Sequence, residues 1–303
     1  MNNKLMIIGS SKIAEEHIKC ALKAGFKLYS LNSSRLHSKN ENRLYKSFKF
    51  QTRFPNWRSA IRDAFKDPSI SIFLAPKYSE NIKILKYALK GNNFVFIEKP
   101  LTSNIKDLIK LKKYKKRIFI TYNRIFYKNI RYIKKNLTSA TSVIVKFTDS
   151  SKKNILLNSI HIISIIYYLF GDLKIKYSQR KKKFVNILAT NKNGLSIFFI
   201  YSDKFPETYS IDIRCRNKRY FVKPLEKMQI IKKLSLKYKN NNKKMLIPYE
   251  EVHKNIDLYE NSNFKAGFLE QMQYFYRKLN KGKKFGNLDF GIKIMKFALN
   301  FVK

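Results

Sequence analysis

Two hydrophobic rhythms alternate over the first 122 residues. Short apolar runs, rich in β-branched and aromatic side chains, read as buried strands at residues 4–8, 27–31, 70–76, 94–97 and 117–122. Between them lie stretches with helical spacing. One follows the first strand, is amphipathic through Ile18, Ala21, Leu22 and Ala24, and stops at Gly25, a residue suited to a left-handed C′ position. Others cover residues 54–65, closed by Asp67-Pro68, then 78–89 with Gly91 beyond, and 105–111. Strands alternating with helices predict a doubly wound α/β domain with a parallel sheet over residues 1–122.

After residue 122 the rhythm changes. Residues 141–148 read as a strand and 155–170 as a strongly apolar helix ending at Gly171. Runs at 174–177, 184–189, 195–201, 209–215 and 219–222 then read as successive antiparallel strands, with Lys192-Asn193-Gly194 as a hairpin turn. The Lys- and Asn-rich stretch 237–244 is expected to be an exposed loop. Two amphipathic helices, at 264–279 and 289–301, finish the chain. Residues 123–303 are therefore expected to form an α+β domain, whose last two helices can pack back on the first domain. No internal repeat is visible.

Length and composition narrow the setting. A chain of 303 residues has ample length for two cores. No apolar run approaches the ~18 residues of a membrane span. The segment 5–8 is too short for a signal-peptide core, so neither a span nor a leader is expected. Cys20 and Cys215 make no disulfide framework, which suits a reducing compartment, and the expected location is the cytoplasm. The net charge of +44 is the unusual quantity. Such an excess can signal nucleic acid, an anionic surface or an acidic substrate. Here the cations are mostly Lys, spread along the whole chain and accompanied by abundant Asn, Ile, Phe and Tyr. An AT-rich coding sequence favours that mixture without any binding role, and nucleic acid is not the expected partner.

Candidate chemistry gathers where strands end, because ligands in open α/β sheets bind beyond the carboxyl ends of the strands. After the 94–97 run, Glu98-Lys99-Pro100 sets a carboxylate and an ammonium beside a proline of fixed φ, and Thr102-Ser103 could cap the next helix. A surface ion pair would leave the same trace. After the first strand, Gly9, Ser11 and Ala14 occupy the three places of a dinucleotide glycine pattern, so only one glycine survives. Lys12 and Ile13 then open a helix whose unbonded N–H groups could hold phosphates. The second strand ends in Asn32-Ser33-Ser34-Arg35, without the acid that usually accepts ribose hydroxyls. Hydroxyls and a cation accept a 2′-phosphate more readily than a carboxylate does, which favours NADP over NAD. The same residues could equally be turn and cap residues.

Taken in order, these segments resemble the Gfo/Idh/MocA family of nicotinamide-dependent oxidoreductases. Gly9 to His17 is similar to the family's opening Gly-x-Gly-x-Ile-Ala-x-x-His with one glycine lost, and Ala75-Pro76 to its Thr-Pro. Glu98-Lys99-Pro100-Leu101 looks like its most recognisable motif, Tyr122-Asn123-Arg124 like its interdomain Tyr-Asn-Arg, and residues 156–171 like its catalytic helix. The resemblance implies a Rossmann domain followed by an α+β domain with an open, mainly antiparallel sheet, often used to form homodimers or homotetramers. It implies hydride transfer between NADP or NAD and a carbinol carbon of a sugar-type substrate; no metal ligands are expected.

Carried over by position, the cofactor would meet Gly9, Ser11, Lys12, Ile13, Asn32, Ser33, Arg35, Ala75, Pro76, Glu98, Lys99 and Pro100. Lys99 and His161 would be catalytic and would touch substrate, together with Arg124, which could instead only bridge the domains. An imidazole near its ordinary pKa can take the hydroxyl proton, and an ammonium stabilises the alkoxide. His161 could also be a satisfied core histidine on the apolar run 160–166. The family's two acids near this histidine are Leu157 and Ser164 here, with Asn158 as a possible substitute partner, and Glu80 stands at a usual histidine position. His17 is expected to be structural. Cations in excess suggest an anionic or nucleotide-linked sugar. The damaged positions leave open a second possibility, a member that lost the reaction and serves in binding or assembly.

Overall fold

The computed structural model describes residues 3–33, 38–203, 208–236, 249–257, 263–282 and 285–302. The chain forms two compact units: residues 1–126 with 263–300, and residues 127–262 with 301–303.

The first unit begins with β1 (Lys4–Ile8), α1 (Lys12–Ala24), β2 (Lys27–Asn32), α2 (Lys39–Ser47), α3 (Trp57–Ala64), β3 (Ile70–Leu74), α4 (Asn81–Ala88), β4 (Val95–Glu98), α5 (Ile105–Lys110) and β5 (Ile118–Thr121). The strands run parallel in the order β2-β1-β3-β4-β5. All five residues of β3 are buried, as a strand covered on both faces requires. Gln51 and Thr52 donate to the Leu28 and Tyr29 carbonyls, so residues 51–52 lie along the outer edge of β2. The helix expected over 54–65 is shorter, because Asn56 caps it through the N–H groups of Arg58 and Ser59. Asn104, not the Thr102-Ser103 pair, caps α5, and the Thr102 hydroxyl instead accepts from the Asn104 N–H.

The second unit holds α6 (Lys128–Asn136), β6 (Ala140–Asp149), α7 (Ile160–Phe170), β7 (Leu173–Arg180), β8 (Phe184–Asn191), β9 (Ser196–Asp203), β10 (Ser210–Cys215), β11 (Lys218–Val222), β12 (Lys227–Leu236) and β13 (Tyr249–Asp257). Its sheet has the order β13-β12-β11-β10-β6-β9-β8-β7. Pairing is antiparallel except between β6 and β9, which are parallel, so the strands are not a simple meander. Burial alternates along β8 and β9, leaving one face covered and the other open. The helix expected from residue 155 starts only at Ile160, preceded by a 3-10 turn over Lys152–Leu156. The expected loop at 237–244 lies outside the described residues.

The last helices, α8 (Phe268–Asn280) and α9 (Leu288–Val302), lie mostly within the first unit. Phe275 of α8 stacks on Phe96 of β4 with ring centroids 4.1 Å apart. Ahead of α9, Asn287 exchanges two side-chain hydrogen bonds with the Ile120 backbone, at 2.7 and 2.9 Å, and so covers part of the β5 edge. Among the described residues no helix is long and apolar enough to cross a membrane.

Candidate cofactor and catalytic site

Register brings the strand exits of the first unit to one edge of its sheet. Ile8 lies opposite both Asn32 and Leu74, and Leu74 opposite Ile97. Beyond these pairs follow Gly9, Ser33, Ala75-Pro76 and Glu98-Lys99-Pro100, all predicted from sequence to face a cofactor. The Gly9 N–H donates to the Asn32 carbonyl and the Ala75 N–H to the Ile8 carbonyl, each at 2.8 Å. Gly9 has φ +130°, and a Cβ there would stand 2.1 Å from the Ala75 carbonyl oxygen. Only glycine lets the turn after β1 lie against the exit of β3.

Ser11 replaces the second glycine without backbone strain, since its φ of −75° suits any residue. Its Oγ accepts from the Ala14 N–H at 3.3 Å and caps α1. The N–H groups of Lys12 and Ile13, first in that helix, have no partner within a helix by its geometry. Both residues are exposed. Asn32 is 1% exposed and donates its amide to the Phe54 carbonyl at 2.9 Å, while its Oδ1 accepts no hydrogen bond. Arg35 lies outside the described residues.

The carboxylate of the Glu-Lys-Pro segment is held by a histidine that local sequence cannot pair with it. His17, in the middle of α1, is fully buried between the rings of Phe73 and Phe268, at centroid distances of 4.3 and 4.6 Å. Its Nε2 lies 2.5 Å from Glu98 Oε1. Burial works to raise the Glu98 pKa, but the hydrogen bond and charge of His17, then Thr121 and Lys99, outweigh it and hold the carboxyl below its ordinary range. An ionised carboxylate only accepts, so Nε2 is the donor. Lys99 is half-buried beside this pair, and the buried Pro100 has its carbonyl bonded by Asn81 Nδ2 at 3.1 Å. Arg124 sits half-buried in a 3-10 turn over Asn123–Phe126. Glu80 pairs with Lys83 at 3.4 Å on the helix surface.

In the second unit, His161 occupies the first turn of α7 and is 7% exposed. The Ser164 hydroxyl donates to the His161 carbonyl at 2.6 Å, a bond to backbone rather than to the imidazole. Leu157 is 39% exposed. Asn158 donates to Asp149 Oδ1 at 2.9 Å, and the Ser159 hydroxyl donates to the other oxygen of that carboxylate. Asp149, the buried last residue of β6, thus supplies a carboxylate at the start of α7, where the local sequence has none. Its place at the end of a strand was the available clue; the distance of nine residues to Asn158 hid the pairing. Among the described residues, no group of three or more acidic, His or Cys side chains could hold a metal.

No protein-family model matches the sequence, and no curated protein matches it by sequence. Solved structures do share the fold. A dehydrogenase (MviM) from Clostridium difficile superposes with a TM-score of 0.77 at 18% identity, over 100% of this chain and 99% of that one. An oxidoreductase from Agrobacterium radiobacter, in complex with NAD+, L-tartaric acid and magnesium, gives 0.74 at 13% identity, over 99% and 95%. The UDP-N-acetylglucosamine 3-dehydrogenase GnnA from Acidithiobacillus ferrooxidans gives 0.71 at 12% identity, over 99% and 96%.

Proposed function

From a chain with the fold of the Gfo/Idh/MocA-type dehydrogenases, we propose a nicotinamide-dependent oxidoreductase acting on a carbinol of a sugar-type substrate. The observation that carries this is the shared edge of β1 to β4. There Gly9 closes against Ala75, the start of α1 presents N–H groups, and Lys99 follows a carboxylate fixed by His17. The orphaned Oδ1 of Asn32 at the same edge also suits a polar ligand.

Hydride acceptance or donation is the chemistry that a bound nicotinamide would supply at this edge. The protein's own groups do the rest. Lys12 and Ile13 N–H groups bind phosphate oxygens. Lys99 holds the reacting hydroxyl and stabilises its alkoxide, while His161 takes the hydroxyl proton in oxidation and returns it in reduction. Arg124 binds an anionic group of the substrate. The net charge of +44 favours acidic or nucleotide-linked sugars. Free Cys20 and Cys215 suit a reducing compartment, the cytoplasm.

The open face of the second sheet carries a cross-strand row of Phe221, Asp212, Ile144, Phe198, Leu188 and Tyr177. Tyr177 is 60% and Phe198 36% exposed, and this face is the proposed homo-oligomer contact.

Nicotinamide fluorescence during NADH and NADPH titration tests cofactor binding, and turnover of neutral, acidic and nucleotide-linked sugars tests the reaction. Strict preference for neutral sugars would retire the anionic substrate. Leu157 and Ser164, neither able to replace an acid beside His161, favour a second reading, a binding or assembly protein. Failure of both cofactors to bind at millimolar concentration would select it.

A further inference from the structure

Residues 32–35 offer no acid to a ribose, yet the fold delivers one from another element. Glu41 lies in the first turn of α2, and its Oε2 accepts from the Ser33 N–H at 2.5 Å, one residue past the end of β2. Three contacts fix α2 there. Ser38, its N-cap, lies with Oγ 3.1 Å from the Ser10 Oγ in the turn after β1. Arg43 pairs with Glu15 of α1 at 2.6 Å. The Tyr45 hydroxyl accepts from the Leu31 N–H and donates to the Leu31 carbonyl. With Leu44 fully buried beneath it, α2 presents Glu41 as a placed side chain rather than a trailing one.

Building on the dinucleotide-binding function proposed above, we propose that Glu41 receives the adenosine ribose hydroxyls and makes the protein select NAD(H) over NADP(H), opposite to what residues 32–35 suggest. A carboxylate has about four lone-pair sites. The Ser33 N–H takes one, leaving capacity for two hydroxyl donors. A 2′-phosphate brings no proton to donate and about two negative charges, which repel the carboxylate. The whole-molecule field works the other way, since a net charge of +44 attracts the more anionic NADPH. A preference for NADH would therefore reflect the local group and not the overall charge.

The test is direct titration of NADH and NADPH, followed by nicotinamide fluorescence, on the full chain at about 150 mM salt, where the distant field is largely screened. The wild type is expected to bind NADH about tenfold tighter. Glu41→Gln, which keeps the length and removes the charge, should bring the ratio close to unity, chiefly by strengthening NADPH binding. Circular dichroism confirms that the variant is folded. Tighter binding of NADPH by the wild type overturns the proposal without needing any variant. An unchanged ratio in a folded Glu41→Gln also overturns it, while leaving dinucleotide binding intact. Binding of neither cofactor overturns both.

Discussion

Replacing His17 by leucine removes the partner of a buried carboxylate and leaves a side chain of similar bulk between Phe73 and Phe268. Breaking a buried pair from one side costs about 3–5 kcal/mol. The Glu98 side chain retains 20% exposure, which sets the expectation near the lower end, about 3 kcal/mol at neutral pH. For the unit that unfolds, this corresponds to a fall in Tm of about 5–10 °C. The pH dependence is more telling.

In the native protein the Glu98 pKa is depressed, so the pair's stabilisation is complete above the ordinary carboxylate pKa and fades as pH falls through the folded value. Without His17, burial becomes the dominant influence and pushes the Glu98 pKa up. The variant's deficit should then be largest at neutral pH and shrink as the pH falls below the ordinary carboxylate range, where Glu98 takes up its proton in the native protein too. Urea unfolding across that range measures it. Glu98→Gln is the companion: it keeps an acceptor for Nε2–H without a charge and should cost only about 1 kcal/mol. A His17→Leu deficit below about 0.5 kcal/mol, within the usual surface-mutation range, would refute the reasoning. So would one that is flat with pH.

Gly9→Ala forces a Cβ to 2.1 Å from the Ala75 carbonyl at φ +130°, and should cost about 3 kcal/mol or more in urea unfolding. Asn93 Nδ2 serves the carbonyls of Ala64, Asp67 and Ile70, so Asn93→Leu should lower stability by about 2–4 kcal/mol in the same assay. Burial, with help from Glu16 and Glu270, pushes the Cys20 thiol up to about 12, and Cys20 is fully buried. Native maleimide labelling read by mass spectrometry should therefore add one label, on Cys215, and two only after unfolding. A net charge of +44 repels itself, so Tm should rise as NaCl goes from about 50 to about 500 mM.

What could be read from residues alone was whatever depends on neighbours in the chain. Runs such as 70–76, interrupted only by Ser71, and the unbroken 94–97 announce buried parallel strands, because two covered faces leave little place for polar alternation. Gly25 adopts the left-handed cap expected of it, at φ 101°. Elements with weak local patterns escaped: α2 buries only Leu44, α6 is short and lysine-rich, and β12 and β13 flank the Lys- and Asn-rich stretch. The site divides along the same line. Gly9, Lys99 and Pro100 could be placed at strand exits from local sequence alone. The parallel β6–β9 pair, Asp149 with Asn158, Glu41 with Ser33, and His17 with Glu98 at a separation of 81 residues all depend on which surfaces meet after packing. A hydrogen bond closes only when its ends are held about 3 Å apart. Local spacing settles which residues become strand or helix, but long-range register and docking bring those ends together.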